Sequence, residues 1–230
     1  MFNENCKYFK GFSNNTIKFL WDLNQNNNKI WFEENKDSYK KVLLEPMQSL
    51  VKNMNDYILS IDPLIDATPS TGKCISRIHR DTRFSKDKSP YKDTMWITFK
   101  RQSKDWSSNP AFFFEISPNS YRYGMGLFSA TPHNMELFRE SIDNSPEEFK
   151  KAISFYPKQQ VFVVEGDKYK RILDKNKPED ILNWYQRKNL YLVRNKSIDD
   201  ILFSSQLVDE LKSNFSLVSD FYHYLYKIQK

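Results

Sequence analysis

The sequence predicts an α+β fold in which a central, mostly antiparallel sheet is flanked by N-terminal and C-terminal helices. Apolar residues recur at helical spacing in the segments 31–58 and 205–225, near the two ends of the chain. From residue 73 the period changes, and short runs rich in aromatic and β-branched residues alternate with turn-forming residues, as is typical of strands. A chain of 230 residues suits one hydrophobic core, so we expect a single domain, 1–230.

Four parts are predicted within this domain: helical (13–62), sheet-rich (73–128), mixed helix and strand (132–195), and a closing helix (205–228). The first helix is expected to begin with Ser13 as its N-cap and to run to about Asn24. A second, long helical pattern follows, with a kink expected at Pro46 and an end at Asp62-Pro63.

Short strands dominate the sheet-rich part. We predict an antiparallel meander of four strands, over 73–80, 95–99, 111–116 and 121–127. Gly124-Met125-Gly126 falls inside the last of these with no helix directly after it, which favours a bulge or a close backbone approach over a phosphate-binding loop.

The mixed part begins with a helical pattern over 132–153. Pro146 marks a fresh helix start within it, because proline is favoured at the first helical position. A strand (161–164), a helix (179–188) and another strand (190–193) then precede the closing helix.

Composition excludes several kinds of protein. No apolar run approaches the roughly 20 residues of a membrane helix, and the N-terminus lacks the features of a secretory signal, so we predict a cytoplasmic protein with no membrane partner. Cys6 and Cys74 are too few for a disulfide framework and are expected to be reduced. The histidines (His79, His133 and His223) lie in separate segments, and we predict neither a metal site nor a cofactor.

The positive charge of the chain is concentrated in one segment. The net charge is +6, and residues 73–101 alone hold nine basic against three acidic residues, an excess equal to the whole net charge. Three of the nine arginines (Arg77, Arg80 and Arg83) fall within seven positions. Arginine grips carboxylate or phosphate with a planar fork of donors. If 73–80 is a strand, Arg80 shares its face with Ile78 and is expected to be partly buried.

Three roles for this arginine cluster stay open. In the first, Arg77, Arg80, Arg83 and Lys92 bind a small phosphate- or carboxylate-bearing ligand, while Asp81 orients an arginine and Tyr91 donates a hydrogen bond. In a catalytic version the arginines stabilise developing negative charge, but no nucleophile is evident and no reaction is predicted.

The second role is nucleic-acid binding, which is possible but not favoured, with stacking on the nearby aromatic residues Phe84, Tyr91 and Trp96. The third role is structural. In that case Arg80 and Arg83 form an internal ion-pair network with Asp81, Asp87 or Glu115.

The segment 75–92 also resembles a known family. It follows the signature R-I-x-R-D-x-R-F-S-K-D-K-S-P-Y-K of a family of uncharacterised proteins from bacteria and fungi, the domain of unknown function DUF 2461. Segments 9–13, 27–36 and 45–47 are similar to its N-terminal motifs. Segments 124–126 and 146–149 and the closing helix also follow its order, so the resemblance covers nearly the whole chain.

The resemblance implies no activity, cofactor or partner, and whether the protein is an enzyme stays open. It does imply which residues are candidates for ligand binding: Arg77, Arg80, Asp81, Arg83, Lys86, Lys88, Tyr91 and Lys92. His79 departs from the family pattern, which usually has an aromatic residue there, and this argues against His79 as an essential acid or base.

Overall fold

A six-stranded antiparallel sheet runs through the fold in the computed structural model, which describes residues 8–83, 86–102 and 109–229. The strands are β1 (Ile65–Asp66), β2 (Met95–Arg101), β3 (Ala111–Ile116), β4 (Ser120–Leu127), β5 (Val163–Glu165) and β6 (Leu190–Ser197). Their order is β1-β2-β3-β4-β6-β5, so β2, β3 and β4 form the predicted meander. The predicted α+β class with a mostly antiparallel sheet is confirmed.

Helices precede and follow the sheet, as predicted. They are α1 (Asn14–Gln25), α2 (Lys29–Glu34), α3 (Lys36–Tyr39), α4 (Glu45–Ile61), α5 (Pro132–Asn144), α6 (Pro146–Ala152), α7 (Glu179–Tyr185) and α8 (Gln206–Ile228). Ser13 is the N-cap of α1, and its hydroxyl accepts a hydrogen bond from the Thr16 amide at 3.3 Å. Among the described residues, no helix has both the length and the apolar character needed to cross a bilayer.

The long helical pattern over 31–58 is interrupted by a π-helical turn, Lys40–Leu44, directly before α4. Pro46 has no amide hydrogen, so the Val42 carbonyl four residues earlier loses its α-helical donor. The Thr16 hydroxyl donates a 2.6 Å hydrogen bond to that carbonyl instead. This bond explains why Thr16 is fully buried although it is polar.

The first predicted strand, 73–80, is wrong. Ile75 pairs with Ile97 of β2, whereas His79 pairs with Tyr91 of the following loop. Because the two halves of the segment pair with different partners, they form isolated bridges rather than a strand. The alternation of exposed and buried side chains survives this exchange: Ile78 is buried between exposed neighbours. Pattern reading had recovered the direction of the side chains but not the backbone partner.

Two compact units make up the chain. The first comprises Met1–Phe99, Phe113–Arg122 and Asn195–Lys212, and the second comprises Lys100–Phe112, Tyr123–Arg194 and Ser213–Lys230. In the first unit, the Phe12 ring stacks on Phe114 at 5.6 Å. In the second, Phe112 contacts Phe215 and Tyr222, both at 5.0 Å between ring centroids. The single domain, 1–230, stays a prediction.

Gly126 lies where the backbone of β4 approaches β6. A Cβ atom at this position would be 2.3 Å from the Leu190 carbonyl oxygen and 2.4 Å from the Tyr191 Cα. Both are backbone atoms that cannot move aside without shifting a strand. The interpretation of Gly124-x-Gly126 as a close backbone approach is confirmed.

In the edge strand β5, side chains form hydrogen bonds with the backbone amide and carbonyl of Val164. The Val164 amide donates to the Tyr156 hydroxyl at 3.2 Å, and the Val164 carbonyl accepts from Arg187 Nη2 at 2.7 Å. The same guanidinium donates to the Gly166 carbonyl at 2.8 Å and to the Asn183 carbonyl at 3.0 Å. Arg187 is buried, and these neutral acceptors are its partners.

Cys74 is a buried, free thiol. Its Sγ donates to the Asp66 carbonyl at 2.9 Å. Burial, reinforced by the negative charge of Asp66, raises the pKa of the thiol to about 12, so at neutral pH it is protonated and a poor nucleophile. Cys6 lies outside the described residues.

Candidate functional site

The arginine-rich loop, residues 77–92, is closed by a short antiparallel pairing of its own ends. The Arg80 amide donates to the Pro90 carbonyl and the Lys92 amide donates to the Ile78 carbonyl, both at 2.8 Å. His79 and Tyr91 lie directly opposite each other between these bonds. Phe84 and Ser85, the aromatic and hydroxyl residues at the loop's midpoint, lie outside the described residues.

One face of this pairing is fixed to the N-terminal helical region. The Tyr91 ring stacks on Phe32 of α2 at 4.1 Å and lies 5.1 Å from the His79 ring. The Asn27 side chain accepts from the Tyr91 amide at 3.0 Å and donates to the Tyr91 carbonyl at 2.9 Å. Burial, together with the nearby carboxylate of Glu33, raises the pKa of the Tyr91 hydroxyl. The base of the loop is therefore held by both packing and hydrogen bonds.

The other face carries Arg80 and Lys92. Side chains alternate across paired strands, so these two residues project away from the Tyr91 ring and are diagonal neighbours. The Arg80 side chain is 28% exposed, which confirms the prediction of partial burial. The Lys92 Nζ lies 5.5 Å from the centre of the Trp96 ring. Burial and the positive charge of Arg80 both lower the pKa of Lys92.

Some N–H donors of Arg80 and Lys92 have no hydrogen-bond acceptor among the described residues. Arg80 Nη1 lies 3.2 Å from Asp87 Oδ2, and Arg80 Nη2 donates to the Tyr91 carbonyl at 3.4 Å. The Nε of Arg80 is buried and has no hydrogen-bond acceptor among the described residues. Within the same residues, Lys92 Nζ has neither a carboxylate partner nor a hydrogen bond. Buried donors without acceptors are rare in native proteins.

Arg83, by contrast, is fully engaged with Asp81. Its Nε and Nη2 atoms donate to the two oxygens of the Asp81 carboxylate at 3.0 and 2.7 Å, and its backbone amide donates to Asp81 Oδ1 at 3.1 Å. Lys88 Nζ donates to the Thr82 carbonyl at 2.8 Å. These hydrogen bonds of Asp81, Arg83 and Lys88 all lie within the loop.

The Asp81–Arg83 pair is expected to survive moderate acid. Hydrogen bonds from Arg83 lower the pKa of the Asp81 carboxyl to about 2, and a carboxylate with a lowered pKa keeps its interaction until the pH falls through that value. We expect the Asp81 side-chain carbon signal in NMR to stay that of a carboxylate at pH 4 and to titrate near pH 2. In an Arg83→Ala variant, which keeps only the backbone amide of residue 83, it should titrate closer to the ordinary value of about 4. Titration of both proteins near pH 4 would show that the pair does not persist in solution.

Arg77 and Lys86 are exposed, and neither makes an ion pair among the described residues. Of the eight residues implied by the signature, the structure thus brings Arg80 and Lys92 together on one face. It places Asp81, Arg83 and Lys88 in contacts within the loop, and the Tyr91 ring on the opposite face.

Glu115 of β3 has different partners from those predicted. Arg122 of β4 donates to its two oxygens at 2.8 and 2.9 Å, and the Trp96 indole also donates to it. The alternative that paired Glu115 with Arg80 or Arg83 is therefore wrong, while pairing with Asp87 and Asp81 is observed. The indole beside Lys92 is held in place by this carboxylate.

Sequence reasoning missed the residues that support the site. Asn27 was interpreted as part of a polar turn, and Phe32 as part of a helix pattern, yet both fix Tyr91. A signal for them existed: both belong to the segment 27–36, which resembles a family motif, just as Tyr91 belongs to the signature. Two motifs far apart in sequence that meet in space form one structural element.

Comparison with known proteins identifies a family for this chain. No curated protein matches the chain. A family model described as conserved hypothetical protein (DUF2461) matches residues 15–224, a range that includes Asn27, Phe32 and the whole arginine-rich loop. Among the described residues, no group of three or more histidine, cysteine, aspartate or glutamate side chains is arranged to hold a metal ion. The chain therefore belongs to the DUF2461 family of conserved hypothetical proteins.

Proposed function

We propose that this is a cytoplasmic protein that binds a small phosphate- or carboxylate-bearing ligand at Arg80 and Lys92. The observation that carries the proposal is the pairing of two partly buried cations on one face of the loop, with donors that no described residue satisfies. Two like charges held side by side repel each other, and an anion between them would turn that repulsion into two attractions.

The contacts that Arg80 makes are weak enough to be exchanged. Its distances of 3.2 Å to Asp87 and 3.4 Å to the Tyr91 carbonyl are longer than the roughly 2.7–2.9 Å of a good charge-assisted hydrogen bond. The Asp87 side chain is 51% exposed, and its other oxygen, Oδ1, accepts from the Ser89 amide at 2.9 Å. A ligand anion that displaces Asp87 Oδ2 would give Arg80 Nη1 a shorter bond in place of its 3.2 Å contact, while Asp87 keeps its bond to Ser89.

The structural role has its own support, because Asp81–Arg83 and Arg80–Asp87 are ion pairs within the loop. It accounts for Arg83 well. It leaves unexplained why Lys92 lies beside Arg80 without a carboxylate partner in the part of the chain that the structure describes, which is the feature that an anion site explains.

Thermal unfolding with added ligands tests the proposal. An anion present at about 100 times its Kd should stabilise the wild type by about 2.7 kcal/mol, a rise in Tm of about 5–10 °C for a chain of this size. Arg80→Gln, which keeps a polar side chain but loses the guanidinium and its charge, should abolish most of this shift. The matched control, Arg171→Ala, removes an exposed arginine outside the loop and should leave it unchanged.

The probes are phosphate, pyrophosphate, citrate and a short oligonucleotide, each at low and high salt. A small anion that acts at both salt levels supports the proposal. Stabilisation by the oligonucleotide alone, lost steeply as salt rises, would instead identify a nucleic-acid interface. No shift with any probe, together with a lower Tm for Arg80→Gln, would reject the anion site and leave the arginines with a structural role.

A further inference from the structure

We propose that Lys92 is an amine nucleophile that forms a Schiff base with a carbonyl-bearing anion, such as a 2-oxo acid or a phosphorylated aldehyde, whose anionic group is held by Arg80. The inference rests on the anion site proposed above and adds a covalent step to it. It also supplies the nucleophile that the sequence did not reveal.

Position is the first support. Lys92 and Arg80 are diagonal neighbours on one face of the loop pairing, a relation that places their backbones about 7–8 Å apart. Both side chains are long, so their charged ends can reach two groups of one small molecule. A 2-oxo acid, in which the carbonyl carbon is bonded directly to the carboxylate, offers one group to each of these side chains.

The missing counter-ion is the second support. Lys196 is the best comparison, since it is also partly buried and lies over an aromatic ring, that of Tyr121, at 5.3 Å. Yet Lys196 has two carboxylate partners, Asp199 at 3.0 Å and Glu210 at 2.9 Å. Lys92 has none among the described residues. A lysine without a counter-ion and beside another cation loses its proton more readily, and a neutral amine is the nucleophile that carbonyl chemistry requires.

The electrostatic environment of Lys92 also favours the neutral amine. Burial is the larger cause of the lowered Lys92 pKa, and the positive charge of Arg80 adds to it. The Trp96 ring acts in the opposite direction because it favours a cation over its face, but at 5.5 Å this attraction is weak. Trp96 is also fixed by its hydrogen bond to Glu115, so it offers a rigid wall against which a planar imine can lie.

The reaction balances without an oxidant or reductant. The neutral Lys92 amine adds to the carbonyl carbon, and a proton moves from nitrogen to oxygen to give a carbinolamine. Loss of water then leaves an imine that joins Nζ to the former carbonyl carbon. Arg80 keeps the ligand's carboxylate or phosphate in place through both steps, and its charge stabilises that anion.

Reductive trapping tests the inference on the full chain. The protein is incubated with glyoxylate or with pyridoxal 5′-phosphate, reduced with sodium borohydride, and examined by intact mass and peptide mapping. We expect one main adduct, on the peptide that contains Lys92. Arg80→Gln should lower its yield at limiting reagent at least about tenfold, and pyridoxal without the phosphate should label Lys92 comparably weakly.

Two lysine variants complete the design. Lys92→Arg keeps a positive charge beside Arg80 but has no amine that can form an imine, so it should lose the adduct. Lys18→Arg replaces an exposed lysine of α1, and in this variant Lys92 should be labelled to the same extent as in the wild type. Labelling spread over exposed lysines, with Lys92 unmodified, would overturn the inference. If small anions still stabilise the protein in that case, the nucleophile is rejected and the anion site stands; if they do not, both are rejected.

Discussion

Replacing Arg187 by alanine is expected to lower the free energy of unfolding by about 3 kcal/mol or more. The buried guanidinium donates to the carbonyls of Val164, Gly166 and Asn183 at 2.7, 2.8 and 3.0 Å, and to the Asn183 side-chain oxygen at 3.0 Å. Truncation leaves these acceptors without their donor, at a cost of about 1–3 kcal/mol for each one that stays buried. It also opens a cavity the size of the lost side chain.

Chemical denaturation and thermal unfolding both measure this loss, which corresponds to a Tm lower by about 6–12 °C. Arg194→Ala is the matched control in the same unit. Its guanidinium makes one exposed hydrogen bond, to the Gln160 carbonyl at 3.1 Å, so its removal should cost less than about 1 kcal/mol. Equal losses in the two variants would mean that water or neighbouring donors readily replace Arg187.

Gly11→Ala is expected to have an effect of similar or greater size, about 3–5 kcal/mol. Gly11 has a φ of +103°, which side chains disfavour, and a Cβ atom would lie 2.2 Å from the Phe203 carbonyl carbon and 2.4 Å from the Ser204 amide nitrogen. The neighbouring Phe12 amide donates to the Leu202 carbonyl at 3.0 Å, so the two backbones are bonded and cannot separate freely.

Gly72→Ala separates backbone strain from the clash. Gly72 also has a positive φ, +84°, but the nearest atom to its Cβ position is Arg77 Nε at 3.5 Å, an ordinary contact. It should cost about 1–2 kcal/mol, the strain alone. The free energy of unfolding of both variants, measured in denaturant, decides the matter: similar values for Gly11→Ala and Gly72→Ala would show that the segment around Gly11 moves away from Phe203 without difficulty.

Features whose interacting residues lie close together in the sequence could be predicted, and features that depend on distant residues could not. The Ser13 cap was predictable because its partner, Thr16, is three residues away. Pro46 was correctly expected to disturb its helix, but the hydroxyl that compensates for it comes from Thr16, thirty positions earlier, and no local pattern identifies such a donor. The strand predicted over 73–80 failed for the same reason, since alternation of side chains says nothing about which backbone is the partner.

The candidate site, too, could be predicted only in part. A cluster of arginines in a lysine-rich chain was enough to find the loop and to predict the partial burial of Arg80. It was not enough to separate Arg83, whose donors go to Asp81, from Arg80, whose donors are incompletely used. Arg187 left no trace, because between Gln186 and Lys188 it is indistinguishable from a solvent-exposed basic residue until the fold buries it.

The way in which β5 ends the sheet bears on how this protein behaves at high concentration. An edge strand with unpaired amide and carbonyl groups is a template on which a second molecule can add a strand, and such additions lead to aggregates. At Val164 the Tyr156 hydroxyl and the Arg187 guanidinium already fill these positions. Arg187 thus contributes twice: it supports its own unit from within, and it makes that point of the edge a poor place for another copy of the chain to attach.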